Sequence, residues 1–436
     1  MLSNLEIGFA GIGLMLVLLA LRVPIAVALG MVSLGGIWLM RGEAAAFGTL
    51  GEVPYDFTAT WTLSAVPMFI LMGTFAQNSG IAASLFTAAR VLIGRFPGGL
   101  AISTNFAAAG FAAVSGSSLA TTAAMGRLAV PEMLRHGYDR SLATSVVAAA
   151  GTLGALIPPS VAFVLYGWFA SQSVSKLLMA GILPGLLTAF VYCVMIFVRV
   201  RRNPALAPAP EEAFSAARKW QAVREIWPLP VIVIGVVVGI YTGATTPTEA
   251  GAAAALLTCL VAIFRGEMNL SRFAESLASA AKTTALVFFI VIGTVLFTKF
   301  LALSGVPRFI VGGIREASVD PLVLILLISA FYIVLGMFLE GIGVMLVSLP
   351  ILLPIADSVG YDLIWFGVLV VKFIEIGLLT PPVGMNAFVV KSIVGDAVPL
   401  GLIFRGLAWF LAAEAIVMVL IIGFPEISLY LPSFLD

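Results

Sequence analysis

The stretch FAAVSGSSLATTAAMG, residues 111–126, sets a polar turn, Ser115-Gly116-Ser117-Ser118, between two runs that otherwise suit a lipid bilayer. Within a membrane no water is at hand for hydroxyls or bare peptide groups. Such a turn is tolerable only where protein or a wet cavity satisfies it. The arm that follows, 119–134, is 16 residues long with Arg127 inside it. At 1.5 Å per residue it reaches about 24 Å, short for a bilayer of about 30 Å, so the pair of arms predicts a re-entrant helical hairpin over 97–135. Hydroxyls and exposed carbonyls at its tip are ligands for a small ion or a polar solute.

The rest of the chain supports a membrane setting. Of 436 residues, 61% are hydrophobic and 10% charged, against about 45–50% and about 25% in soluble domains. Apolar runs recur from Leu5 to Gly423, which excludes a water-soluble core or a single anchored domain. Met1 to Leu21 contains no Lys or Arg and reads as a first span rather than a signal peptide. The net charge of +1 gives no reason to expect nucleic acid, and Cys193 and Cys259 both lie in apolar runs, unsuited to a disulfide or metal pair. The sole histidine is His136, and neither HExxH nor GxxxxGK[ST] occurs, so zinc hydrolysis and ATP-driven pumping by this chain find no support and no enzyme activity is expected.

One offset recurs when the sequence is slid against itself. At 223 residues Pro24 falls on Pro247, Pro131 on Pro354, Gly137-Tyr138-Asp139 on Gly360-Tyr361-Asp362, Gly154 on Gly377, and Pro158-Pro159 on Pro381-Pro382; with a small indel, Phe69–Thr74 lies on Phe289–Thr294. Separated blocks at one spacing mark structural repeats. Spans are predicted at 5–21, 23–40, 61–79, a broken 140–172 and 178–198, then 228–243, 248–264, 283–302, a broken 363–392 and 402–423. Five per repeat forces opposite orientations. A second hairpin is predicted over 321–356 with its turn near Leu339-Glu340-Gly341. The fold class expected is therefore an all-α integral membrane protein of two inverted-topology repeats, each with five spans and a re-entrant hairpin.

Charge fixes the sidedness. The linker 199–225 holds Arg199, Arg201, Arg202, Arg218, Lys219 and Arg224 against Glu211 and Glu212, and is expected in the cytoplasm. Loop 131–140 carries Arg135 and Arg140 where its counterpart 354–363 carries Asp357 and Asp362. Loop 265–282 is basic where 42–59 holds Glu43, Glu52 and Asp56. Both termini are then expected outside.

In residues 150–167, AGTLGALIPPSVAFVLYG, and 375–390, EIGLLTPPVGMNAFVV, a Pro-Pro pair interrupts a long apolar stretch. Proline donates no hydrogen bond and clashes with residue i−4, which frees carbonyls in the preceding turn. An isolated kink of this kind is usually a packing feature. Duplicated beside duplicated polar turns, the breaks point instead to a midplane site, with helix N-termini for anions and unwound carbonyls for cations.

These motifs, with YTGATTPTEAGA (241–252) and GMFLEGIGVMLVSLPILLPIA (336–356), resemble those of the large membrane subunit of TRAP (tripartite ATP-independent periplasmic) transporters, over essentially the whole chain. The resemblance implies sodium-coupled import of a small organic anion, usually a carboxylate, across the bacterial inner membrane. It implies two partners, a small four-helix membrane (Q) subunit and a periplasmic substrate-binding protein, and no organic cofactor. It also implies an elevator: scaffold helices at 1–96 and 226–318, moving transport-domain halves at 97–198 and 319–436. Two or more sodium sites are expected, with ligands from Ser115, Gly116, Ser118, Gly154 and Pro158 in one half, and Gly336, Glu340 and Thr380 in the other. Substrate contacts are expected from Ser117, Ser118, Ser160, Gly341, Pro382 and Asn386. The glycines of LEGIG depart from tips that carry polar side chains or proline in some relatives, so backbone carbonyls are expected to serve there.

Other polar residues have simpler readings. Lys372 and Glu375, three apart on one helix face, suit either a functional intramembrane pair or a self-neutralising packing pair. Thr246, Pro247 and Glu249 fit N-cap, N1 and N3 of a capping box. His136 is expected in a solvated turn. Segments 80–96 and 303–318 suit membrane-surface arms. The alternative function is a stand-alone sodium/organic-anion carrier of the related ion-transporter architecture. An intramembrane serine hydrolase on Ser117 or Ser118 would need a general base, and the only histidine lies about 18 residues off beyond a hairpin arm.

Overall fold

The computed structural model describes residues 2–208 and 214–435 and builds them from helices joined by short turns. The acidic pair Glu211 and Glu212 of the linker lies outside the described residues. The first half comprises α1 (Asn4–Ala20), α2 (Ile25–Arg41), α3 (Glu43–Thr58), α4 (Ala65–Asn78), α5 (Ile81–Ile93), α6 (Gly99–Ser115), α7 (Ser118–Arg135), α8 (Arg140–Gly151), α9 (Leu153–Leu156), α10 (Val161–Phe169), α11 (Val174–Ala180) and α12 (Ile182–Arg202). The second comprises α13 (Ala216–Ile226), α14 (Pro228–Tyr241), α15 (Pro247–Phe264), α16 (Leu270–Ser304), α17 (Val306–Glu316), α18 (Pro321–Phe338), α19 (Gly341–Ser358), α20 (Leu363–Gly377), α21 (Met385–Val394), α22 (Leu400–Gly423) and the short α23 (Glu426–Leu429).

Among the described residues five helices are long and apolar enough to cross a membrane, and up to eight if each bent helix pair counts as one span. The chain is thus an all-α, multi-span membrane protein. Its outer faces suit lipid: α1 exposes Leu14, Leu16 and Val17, α14 exposes Val231, Ile234 and Val238, and α18 exposes Leu322, Leu326 and Leu327. The opposite extreme is α20, buried from Trp365 to Gly377. A helix apolar nearly all round belongs inside a protein or a membrane, and α20 is enclosed by α18, α19, α10 and α11.

Local chemistry explains the helix starts. Asp139, Asp320 and Asp362 cap α8, α18 and α20, each accepting from backbone N–H groups of the first turn. Thr246 and Glu249 form the expected capping box at α15, with Pro247 at N1. Both hairpins expected from the sequence are present as helix pairs, α6–α7 and α18–α19, with their turns at 116–117 and 339–340.

Two connections read as loops are helical. Residues 42–59 form α3, which meets the α4 segment at a 60° bend, and 265–282 contribute the first turns of the 35-residue α16. The acids of 42–59 suggest a loop, yet its alanines sustain a helix with Glu43 in the first turn. At α16 the Asn269 side chain accepts from Arg272 N–H at 2.8 Å, and good helix formers then run unbroken into the apolar span. His136 also departs from expectation, being half-buried against Arg90 of α5. Arg90 Nη2 lies 3.0 Å from Nε2, and Nδ1 lies 2.8 Å from the Glu132 carbonyl. Arginine can only donate, so Nε2 accepts and Nδ1 carries the proton. Arg90 also pairs with Glu132, which ties α5 to α7.

Candidate functional site

The Ser115–Ser118 turn is held by its own side chains and by a neighbouring helix break. Gly116 ends α6 at φ +60°, the left-handed conformation that glycine adopts without strain. Ser117 caps α7, and Ser115 Oγ lies 2.7 Å from Thr121 Oγ1. Against this turn rests the break between α8 and α10, a 42° bend. The contact is backbone to backbone: a Cβ placed on Gly154 would lie 2.6 Å from the Ser117 carbonyl oxygen, and one on Gly116 would lie 2.9 Å from that of Pro159. Ser160 caps α10 and donates to the Ala155 carbonyl at 2.6 Å.

The other turn meets the other break in the same manner. Gly336 and Gly377 touch, a Cβ on Gly377 falling 2.7 Å from Gly336 Cα, and Gly384 N–H donates to the Met337 carbonyl at 3.2 Å. Glu340 caps α19, accepting from Gly343 N–H at 3.3 Å. Between α20 and α21 the chain is non-helical, and Thr380 Oγ1 donates to the Ile376 carbonyl at 2.7 Å. The Pro158-Pro159 and Pro381-Pro382 peptides are both cis.

Between the two turns lies a cavity of about 460 Å³, within the usual size range of small-molecule sites. Ser115, Gly116, Ser117, Ser118, Glu340 and Gly341 all line it, together with Glu375. Opposite them stand Thr74 and Gln77 of α4 and Ser279 and Thr283 of α16, with apolar side chains between. Among the described residues no lysine or arginine lines this cavity, and its titratable side chains are these two glutamates.

Other residues singled out from the sequence lie behind or away from the cavity. Gly154 and Gly336 pack behind the turns without lining it, Pro158 does not line it, and Ser160 is fully buried. Thr380 is half-buried and Pro382 exposed, outside the cavity wall. Asn386 is fully buried, its Nδ2 donating to the Ala148 carbonyl at 3.1 Å while Oδ1 has no hydrogen-bond partner.

Lys372 and Glu375 do not pair with each other. Ser118 Oγ donates to Glu375 Oε2 at 2.7 Å, and Lys372 Nζ lies 2.5 Å from Glu414 Oε2, an ion pair outside hydrogen-bond geometry. Tyr192 hydroxyl donates to the other oxygen of Glu414. Glu414 was missed by the sequence reading. Its signal is a lone acid within the 24-residue apolar α22, which demands a buried partner just as Lys372 does.

Comparison with known proteins follows this geometry. Residues 12–427 match the family described as tripartite ATP-independent periplasmic transporter, DctM component. The chain is 37% identical over 386 residues to the C4-dicarboxylate TRAP transporter large permease protein DctM of Pseudomonas aeruginosa, covering 87% of this chain and 88% of that one. It is 34% identical over 387 residues to the isethionate TRAP transporter permease protein DctMQ of Oleidesulfovibrio alaskensis, covering 86% of this chain and 59% of that one. In fold it is similar to the crystal structure of the Alcanivorax borkumensis YdaH transporter, with a TM-score of 0.61 at 15% identity, over 88% of this chain and 90% of that one.

Proposed function

The chain belongs to the DctM component family of tripartite ATP-independent periplasmic transporters, and from that premise we propose that it imports a small organic anion of the carboxylate type in symport with sodium. It is a multi-pass inner-membrane permease, a secondary transporter drawing on an ion gradient, and not an enzyme. The finer reading rests chiefly on one observation, the cavity where two polar turns from distant parts of the chain face each other, each braced by an interrupted helix.

In this reading sodium binds at the two turns. The first site draws on Ser115, Gly116, Ser118, Gly154 and Pro158, the second on Gly336, Glu340 and Thr380, by side-chain oxygens and carbonyls left free by the breaks. Substrate lies between the tips, touching Ser117, Ser118 and Gly341, with Ser160, Pro382 and Asn386 engaged as the tips rearrange. With two glutamates and, among the described residues, no cationic side chain on the wall, a buried anion finds no protein counter-charge there and is accepted together with bound cations. That requirement supplies a physical reason for obligatory coupling. The names of the two relatives, a C4-dicarboxylate and an isethionate transporter, support a small anion.

Inverted repeats and an elevator complete the proposal. Gly137 and Gly360 share φ of +80°, each preceding by two residues the aspartate that caps α8 or α20, which supports a duplicated unit. Helices α2 and α4 pack with α15 and α16 as a scaffold, while α6 and α7 pack with α8, and α18 and α19 with α20. The arms α5 and α17 join the two groups by packing on α6 and α19. The partners in this proposal are a small four-helix membrane subunit and a periplasmic binding protein. A relative whose name joins M and Q supports the first.

Reconstitution tests the whole reading. Proteoliposomes holding this chain, the small subunit and a cognate binding protein should take up substrate only under an inward sodium gradient. Robust uptake by the chain alone would instead make it a stand-alone carrier.

A further inference from the structure

A second cavity, of about 530 Å³, opens far along the chain from the turns, where α12 ends and the basic linker begins. Its wall carries Arg199, Arg202 and Arg405 with Asp139 and Trp409. The transport reading gives none of these side chains a ligand to hold. Arg199 lies over the Trp409 ring at 4.8 Å from its centroid, which orients the guanidinium, yet its buried Nη1 has no hydrogen-bond partner among the described residues. None of the three arginines forms an ion pair among the described residues. Asp139 is occupied in capping α8 through the Leu142 N–H at 3.0 Å. Among the described residues, three cations against one engaged acid leave the pocket with a surplus of two positive charges.

We propose that this pocket binds the headgroup of an anionic phospholipid. The phosphate chemistry follows from the arginines, whose planar forks match phosphate oxygens. Arg199 Nη1 supplies the unfilled donor. The lipid source follows from position. Val194 and Val198 of α12, one turn apart, and Trp409 of α22 are exposed along the apolar spans beside the arginines, a surface for acyl chains next to the charged headgroup. Tryptophan at the level of the headgroups and basic pockets between spans are general features of lipid recognition. The surplus of two charges suits a headgroup with two phosphates as well as a single phosphodiester.

Native mass spectrometry of the full chain in detergent, titrated with phosphatidylglycerol, cardiolipin or phosphatidylcholine, tests this. The wild type should retain both anionic lipids at least about tenfold better than phosphatidylcholine. Arg202→Gln and Arg405→Gln, at exposed positions where folding is not at stake, should each weaken retention about fivefold. The control pair Arg218→Gln and Arg224→Gln, in the linker but outside the pocket, should leave it unchanged. Equal retention of charged and neutral lipid would overturn the proposal, as would insensitivity to the pocket arginines. Displacement of the lipid by millimolar inorganic phosphate would assign the pocket to a soluble anion and overturn the lipid assignment.

Discussion

The Ser118 hydroxyl donates a 2.7 Å hydrogen bond to Glu375 Oε2, joining the tip of the first hairpin to a helix 257 residues further along the chain. The bond occupies the hydroxyl proton and leaves the oxygen lone pairs of Ser118 free for another partner on the cavity wall, the role the proposed function gives to sodium. Glu375→Gln keeps an acceptor for Ser118 and removes the group that can carry a counter-charge for a bound cation. Its loss should cost on the order of 1–2 kcal/mol of sodium binding, so the sodium half-saturation of uptake should rise about five- to thirtyfold. Thermal unfolding should barely move. A large loss of stability would make Glu375 a packing residue instead.

The backbone contacts behind the turns predict a sharp contrast among glycines. An alanine at Gly154 would set its Cβ 2.6 Å from the Ser117 carbonyl oxygen, and one at Gly377 would set it 2.7 Å from Gly336 Cα. Neither neighbour is a side chain that can swing aside. Each substitution should cost about 1–3 kcal/mol and abolish or cripple uptake. Gly235→Ala on α14, where nothing lies within 4 Å, should be neutral. Thermal unfolding in detergent alongside uptake separates the three.

The Lys372–Glu414 pair, 0% and 1% exposed, should behave as a buried ion pair whose halves cannot be removed singly. Lys372→Met leaves the Glu414 carboxylate with only Tyr192 and should cost about 3–5 kcal/mol. Glu414→Gln added to Lys372→Met should recover most of that loss. A double-mutant cycle on thermal stability measures it, and additivity of the two single losses would show that the charges do not interact.

Both polar turns, both Pro-Pro breaks and the cap at Thr246-Pro247-Glu249 were legible in the sequence because each is written in consecutive residues of unusual type. The helices over 43–58 and 270–282 were not, since scattered charges masked runs of good helix formers. The partners of the buried charges on α20 were equally hidden: spacing of three residues suggested Lys372 with Glu375, whereas tertiary packing gave each a partner from elsewhere, Glu414 and Ser118. Pairings across hundreds of residues leave no periodic trace. Pro382 shows the limit of a repeat, for its counterpart Pro159 is buried while Pro382 itself is exposed.

The expected sidedness rests on the arginines that close α12. In a background without Cys193 and Cys259, a cysteine within 205–215 should be protected from impermeant thiol reagents in intact cells, and one replacing Ser433 should react. The reverse labelling pattern would overturn the orientation.

Sodium dependence of uptake by Ser118→Ala, and by Thr380→Ala at the second break, bears most directly on the central claim that these turns are ion sites. Each substitution removes one hydroxyl oxygen from a proposed sodium shell. The loss should be on the order of 1–3 kcal/mol, so the sodium half-saturation should rise roughly ten- to a hundredfold, with transport partly rescued at high sodium. An unchanged half-saturation for both variants, in correctly assembled protein, would contradict the account and remove these hydroxyls from the ion path.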